Sequence, residues 1–240
     1  MAEVPEEEFS PTPPDADRVA ARAMVLSAVS CRGLIEKDAL DPGAEELRRN
    51  ALAWLESVGA ADEMEAHEAA LLSTPLGQLD PKLARDATWR SEGAVVLAWA
   101  LSYSELPPVH AECDPADVAN ALGFLDERAN TALDCPRLRA SDEIERWANV
   151  YLTLHWRLRE YLRRPDPIDF TSYVSDCTWG PLRLDELDIV DGDLAIDGAR
   201  IDDVEHRRLR HVLSITQERH QALNWLLGWE QLYSEVTTDT

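Results

Sequence analysis

The sequence has no apolar run long enough to cross a bilayer. Its longest, from Ala94 to Leu101, falls far short of the ~20 residues a spanning helix needs, so no membrane association is expected. It has no secretory leader pattern either: MAEVPEEEFSPTPP is acidic and proline-rich, the reverse of a basic start followed by an apolar core. Cys31, Cys113, Cys135 and Cys177 are scattered without CxxC spacing, which argues against a zinc frame and against a disulfide scaffold in a chain this long. Reduced thiols in a cytoplasm fit this usage. Bases are scarce: 23 Lys and Arg against 46 Asp and Glu leave a net charge of −23. That balance repels phosphates, so no nucleic-acid partner is expected, and a macromolecular partner should be a basic protein.

Catalytic signatures are missing as well. There is no GxGxxG, P-loop, GxSxG, HExxH or Glu-x-x-His helix pair, which disfavours a dinucleotide enzyme, a kinase, a serine hydrolase, a zinc protease and a bundle-type di-iron protein. His206 and His211 are five apart, off the spacing that puts two ligands on one helix face. Asp203 and His206 form the only metal-like pair, and a helix start explains them equally well. No cofactor and no metal are expected.

What is present is helical periodicity. At 240 residues, with 45% hydrophobic and 29% charged residues, the chain has the make-up of one globular domain. Residues 1–14 read as a disordered acidic, proline-rich tail. Asp15 caps a first helix to about Lys37, with Val19, Ala23, Leu26 and Val29 on its buried side. Further helices are expected at about 44–58 and 62–73. A central one opens at Asp80-Pro81, through the apolar stretch 86–108, and another runs from Asp114-Pro115 to about Ala132. The clearest stripe is Ile144, Trp147, Tyr151, Leu154, Leu158 and Tyr161, in a helix from Ser141 to Arg164. A last helix spans about Ile201 to Trp229. Between these two, Asp191-Gly192 separates two short apolar runs, a two-residue hairpin signal. The expected architecture is therefore mainly α: a single-domain bundle of about six to seven helices over residues 15–240, with one small β-hairpin at about 185–198 in the C-terminal third.

Several landmarks resemble the DUF4272 family, bacterial proteins of unknown function. They are Trp89-x-x-Glu92, Leu97-Ala-Trp-Ala-Leu101 with Leu106-Pro107, and Leu154-His-Trp-Arg-Leu158. Asp193-Leu-Ala-Ile196, Glu218-Arg219-x-x-Ala-Leu-Asn-Trp225 and Thr238-Asp-Thr240 continue the series. The landmarks run in order from about residue 18 to the C-terminus, and the resemblance implies a single, mainly helical domain. It supplies no activity and no catalytic residues.

The chemistry-bearing constellation is Glu92, His155, Arg157, Glu218, Arg219 and Asn224. Glu92 and Glu218 lie among tryptophans on faces expected to be buried, where a carboxylate must find a cation or stay protonated. Two readings follow. In one, Glu92 and Glu218 are structural, each neutralised by an arginine, with Arg157 and Arg219 as the candidate partners. In the other, they are paired carboxylates in a helical cleft doing acid/base work, with His155 as a further catalytic candidate. The second candidate region is the acidic stretch 185–205, in which Asp185, Glu186, Asp188, Asp191, Asp193 and Asp197 form an expected solvent-facing interaction surface. It lacks calcium-loop spacing. The leading expectation is a non-enzymatic acidic interaction protein, such as an immunity or adaptor protein that occupies a basic partner. The alternative is a hydrolase-like enzyme using Glu92 and Glu218.

Overall fold

The computed structural model describes residues 12–129 and 134–239. The helices follow from the caps and stripes of the sequence: α1 (Ala16–Ile35), α2 (Pro42–Ser57), α3 (Ala66–Ser73), α4 (Pro81–Thr88), α5 (Arg90–Ala100), α6 (Pro115–Leu122), α7 (Ser141–Arg163), α8 (Phe170–Asp176) and α9 (His206–Leu226). The fold is mainly α, as expected. Asp15, Asp41, Asp80 and Asp114 each accept a backbone N–H of the first turn of α1, α2, α4 and α6, and the last three precede a proline at the first helical position.

The interior is organised around α1 and α5. α5 is buried on every side from Ser91 to Ala100, as its unbroken apolar run requires. α1 was expected to bury one stripe, yet it is buried all round from Arg22 to Ser30. Its Val19, Ala20, Ala23 and Leu26 join the larger core with α5, α7 and α9. Met24, Val25, Ala28 and Val29 face a smaller core holding Trp54, Leu55 and Leu72. Small residues make this possible. Gly33 sits so close to α4 that a Cβ there would lie 2.7 Å from the Ala84 carbonyl oxygen. Truncating a core side chain such as Leu26 or Leu97 to Ala should cost about 2–5 kcal/mol.

Several elements differ from expectation: α8 lies where no helix was expected, and α3 and α9 start at Ala66 and His206 rather than near residues 62 and 201. The central helix is divided at Trp89 into α4 and α5, and α5 ends at Ala100, capped by Leu101, with Ser102 (φ +64°) leaving helical geometry well before Pro107. The Asp114-Pro115 helix stops at Leu122 because Gly123 takes a left-handed cap (φ +68°), and the expected end near Ala132 lies outside the described residues. The tail reading of residues 1–11 also lies outside them. Residues 12–14 are not free of the core: the Thr12 N–H donates to the Gly228 carbonyl at 3.2 Å, and Pro14 is buried.

The expected hairpin is a three-stranded antiparallel sheet, β1 (Ile189–Val190), β2 (Asp193–Ile196) and β3 (Ala199–Arg200). Ile189 pairs with Leu194, and Ala195 with Arg200. Both connections are Asp-Gly: Asp191-Gly192 (φ +49°, +80°) and Asp197-Gly198 (φ +54°, +78°). Two successive positive φ values are what a two-residue hairpin turn demands, and the second Asp-Gly carried the same signal as the first. β2 is central and buried along its whole length, including Asp193.

Candidate functional site

Glu92 projects from the first turn of α5 and Arg219 from the middle of α9, and the two helices pack directly. Glu92 Oε2 accepts from Arg219 Nε at 2.7 Å, and its Oε1 accepts the Cys113 backbone N–H at 2.9 Å. Arg219 also donates to Tyr151 Oη (3.0 Å) and to the carbonyls of Pro108 (3.2 Å) and Ala111 (2.7 Å). One buried guanidinium thus ties α5, α7, α9 and the loop after α5 together. Burial weighs against the Arg219 cation, but Tyr151 and Glu92 more than offset it and its pKa is raised.

Glu218, the next residue on α9, takes a different partner. Arg90 Nη1 donates to its Oε2 at 2.8 Å. Burial raises the Glu218 pKa, and Arg90 counters only part of that rise. Glu92 lines a cavity of about 150 Å³ with Trp89, Glu112 and Cys113, and Glu218 is not among its lining residues. The two acids therefore belong to separate ion pairs. Cys113 in that cavity is an inert thiol, pushed up to about 12 by burial and by Glu92.

Arg157 pairs with neither glutamate. Its Nε donates to Asp193 Oδ1 at 2.7 Å, where the sequence placed Asp193 in a solvent-facing hairpin. This corrects that placement: Asp193 is 1% exposed, and it also accepts the N–H groups of Ile168 (3.1 Å) and Leu194 (2.8 Å). The reason is β2, sandwiched between two strands against the core, so that its polar first residue has to be satisfied internally. Other acids of the stretch are engaged by arginines that local sequence did not reveal. Arg146 reaches Asp185 (2.7 Å) and Glu186 (3.2 Å), and Arg208 reaches Asp197 (2.7 Å). Against the upward pull of burial, Arg183 and Arg146 hold the Asp185 carboxyl below the usual range, and the Arg208 hydrogen bond does the same for Asp197. Asp188 and Asp191 are exposed.

His155, the catalytic candidate of α7, faces His220 of α9, with their Nδ1 atoms 3.0 Å apart. Two neutral imidazoles can share one proton there, one donating and the other accepting. Burial pushes both down, His155 to about 4 and His220 to about 3. Asn224 is one turn beyond His220 and donates to the Thr237 carbonyl at 3.1 Å. His206 opens α9 beside Tyr161, and among the described residues no group of three or more His, Cys, Asp and Glu could hold a metal ion. Among the described helices, none is long and apolar enough to cross a membrane.

Sequence reasoning missed Arg90 and His220. Arg90 stood two residues from Glu92, and the spacing of His220 and Asn224 along α9 marks them as sharing a face.

Fold and interior together define a mainly helical protein whose core acids are held by arginines across helix boundaries. Over residues 2–170 the chain matches the family described as Domain of unknown function (DUF4272), and it belongs to that family. No curated protein and no solved structure matches it. The match stops short of the landmarks at Asp193–Ile196, Glu218 and Trp225, and Thr238, which the resemblance had carried to the C-terminus; Thr240 is outside the described residues. Glu92–Arg219, Arg90–Glu218, Arg157–Asp193 and His155–His220 each join a residue inside the matched span to one beyond it. The rest of the chain is thus pinned to the family region through charged and polar contacts as well as apolar ones.

Proposed function

We propose that this is a non-enzymatic interaction protein of the cytoplasm that engages a basic protein partner through its acidic surface, as an immunity or adaptor protein would. The observation that supports this reading is where the charge lies. Among the described residues, the fully buried charges are Arg22, Arg32, Arg157 and Arg219 against Glu68, Glu92 and Asp193, a nearly balanced set. The excess of acids among the described residues therefore lies largely outside the core, where it acts at long range on a cationic partner. The four cysteines are free thiols, in keeping with a reducing compartment. The paired-carboxylate alternative has less support, because Glu92 and Glu218 each have their own arginine and the cavity at Glu92 does not include Glu218.

The test is a pull-down from the native host, followed by association rates of the captured partner across salt. Screening shortens the Debye length from ~10 Å at 0.1 M to ~3 Å at 1 M, so the on-rate should fall steeply. Asp188→Lys with Asp191→Asn should slow association further without disturbing the fold, since both positions are exposed and asparagine keeps the positive φ of the turn. On-rates that ignore salt and are equal for the two proteins would overturn the reading. So would turnover of a small-molecule substrate that disappears in folded Glu92→Gln and Glu218→Gln variants.

A further inference from the structure

A second feature lies on the opposite side of α9 from Glu218. Between α7 and α9 a cavity of about 290 Å³ is closed by the loop at Trp179–Pro181 and by the C-terminal segment through Asp239. Two tryptophans line it, Trp179 at 50% and Trp229 at 48% exposure, although large aromatics ordinarily bury most of their surface. Neither is loose. Trp179 Nε1 donates to Tyr173 Oη at 3.0 Å, and Tyr173 is stacked on Trp156 at 4.4 Å. Trp229 follows Gly228, whose carbonyl is held by Thr12, and its own N–H donates to the Asn224 carbonyl at 3.2 Å. Gly228 is required there, at φ +80°, because a Cβ would strike the Thr12–Pro13 backbone. A Trp179 ring fixed by a hydrogen bond and a Trp229 whose backbone is held form a prepared surface, since less conformational entropy is left to lose on binding.

The remaining lining residues select what those rings would meet. His220 and Asn224 lie one turn apart on α9, 3% and 5% exposed, with Asn149 opposite on α7. His220 uses Nδ1 on His155 and Asn224 uses Nδ2 on Thr237, which leaves the His220 Nε2 and the Asn224 Oδ1 as their other polar atoms. These groups are neutral. Among the described lining residues Asp239 at the rim is the one carboxylate, and Arg159 approaches it at 3.9 Å. A purely apolar ligand would strip water from the amides and imidazole without replacing it, leaving each of those groups unpaired. A phosphorylated or carboxylated ligand would meet Asp239 and the overall charge of −23. A ring with an apolar C–H face and several neutral hydroxyls satisfies both constraints, and the cavity is at the small end of ligand sites, the size of one or two such rings.

We propose that this cavity is a binding site for an uncharged saccharide, one pyranose ring stacking on Trp179 and Trp229 while its hydroxyls reach His220, Asn224 and Asn149. The test labels the tryptophan indole N–H groups with nitrogen-15 and titrates the full chain with methyl pyranosides of gluco, galacto, manno and N-acetylgluco configuration, with adenosine as a flat heteroaromatic control. A saturable shift of the Trp179 and Trp229 indole signals by at least one pyranoside, in the millimolar range, is expected. Trp229→Ala and Asn224→Ala should each weaken it about tenfold or more while the urea midpoint shows both variants folded. Saturation by adenosine alone, no saturation by any pyranoside, or full affinity in both folded variants would overturn the proposal.

Discussion

Replacing Glu92 tests whether the interior depends on its ion pairs. In Glu92→Ala the Arg219 guanidinium keeps its hydrogen bonds to Tyr151, Pro108 and Ala111 but loses the only carboxylate bonded to it among the described residues. Both partners are almost wholly buried, 1% and 0% exposed, so water cannot solvate the charge left behind. Removing one partner of such a pair costs about 3–5 kcal/mol. The Cys113 N–H, deprived of Glu92 Oε1, adds about 1–3 kcal/mol if nothing replaces its acceptor. The two losses share one side chain and overlap, so about 4–5 kcal/mol in total is expected. For a chain of this size that corresponds to a fall in Tm of roughly 10–15 °C. Glu92→Gln keeps the shape and one acceptor and should lose less, about 2–3 kcal/mol, as a neutral acceptor replaces a charged one. The assay is urea unfolding followed by tryptophan fluorescence, with m unchanged so that the midpoint reports stability. Raising salt should not narrow the gap, because a buried pair is poorly screened. If Glu92→Ala unfolds within about 1 kcal/mol of the parent, the pair is not holding α5 to α9 and the reasoning fails.

Two further outcomes follow from the same contacts. His155 and His220 titrate at about 4 and about 3 in the folded protein, whereas an unfolded histidine titrates near 6.5. The unfolded chain therefore binds more protons below that value. The stability these rings contribute is fully present above about pH 6.5 and is lost on acidification, toward about pH 4 for His155 and about pH 3 for His220, by about 1.4 kcal/mol per pH unit for each ring. Urea midpoints of the parent and of the His155→Gln, His220→Gln double variant between pH 7 and pH 5 should show the shallower slope in the variant, and equal slopes would refute the neutral-pair account. In the sheet, Asp193→Asn should be strongly destabilising because it strands the buried Arg157, by about 3–5 kcal/mol in a thermal melt, while Asp191→Asn on the exposed turn should lie within about 0.5 kcal/mol of the parent. Similar losses at both positions would mean that burial does not separate them.

The sequence alone determined most of the helices, and their starts wherever an aspartate caps them, but not α8, nor the starts of α3 and α9. Asp15, Asp41, Asp80 and Asp114 cap from their own side chains, and the stripe of α7 is a property of consecutive residues, so both are readable without knowing the neighbours. Asp-Gly marks a hairpin turn for the same local reason, twice over. The expectation that an acid among tryptophans needs a cation is likewise elementary electrostatics, and it drew Glu92, Glu218, Arg157 and Arg219 together. The choice of partner was made by the tertiary structure. Arg219 is 127 positions from Glu92 in the chain, and Arg90 is 128 from Glu218. Which residue of α5 each of the two adjacent residues Glu218 and Arg219 meets depends on the angle and register at which α9 lies on α5. Asp193 shows the same division. Its neighbours Asp191 and Gly192 announce an exposed turn, but a strand covered on both sides carries its first residue into the core, and only the packed fold shows which strand is the covered one.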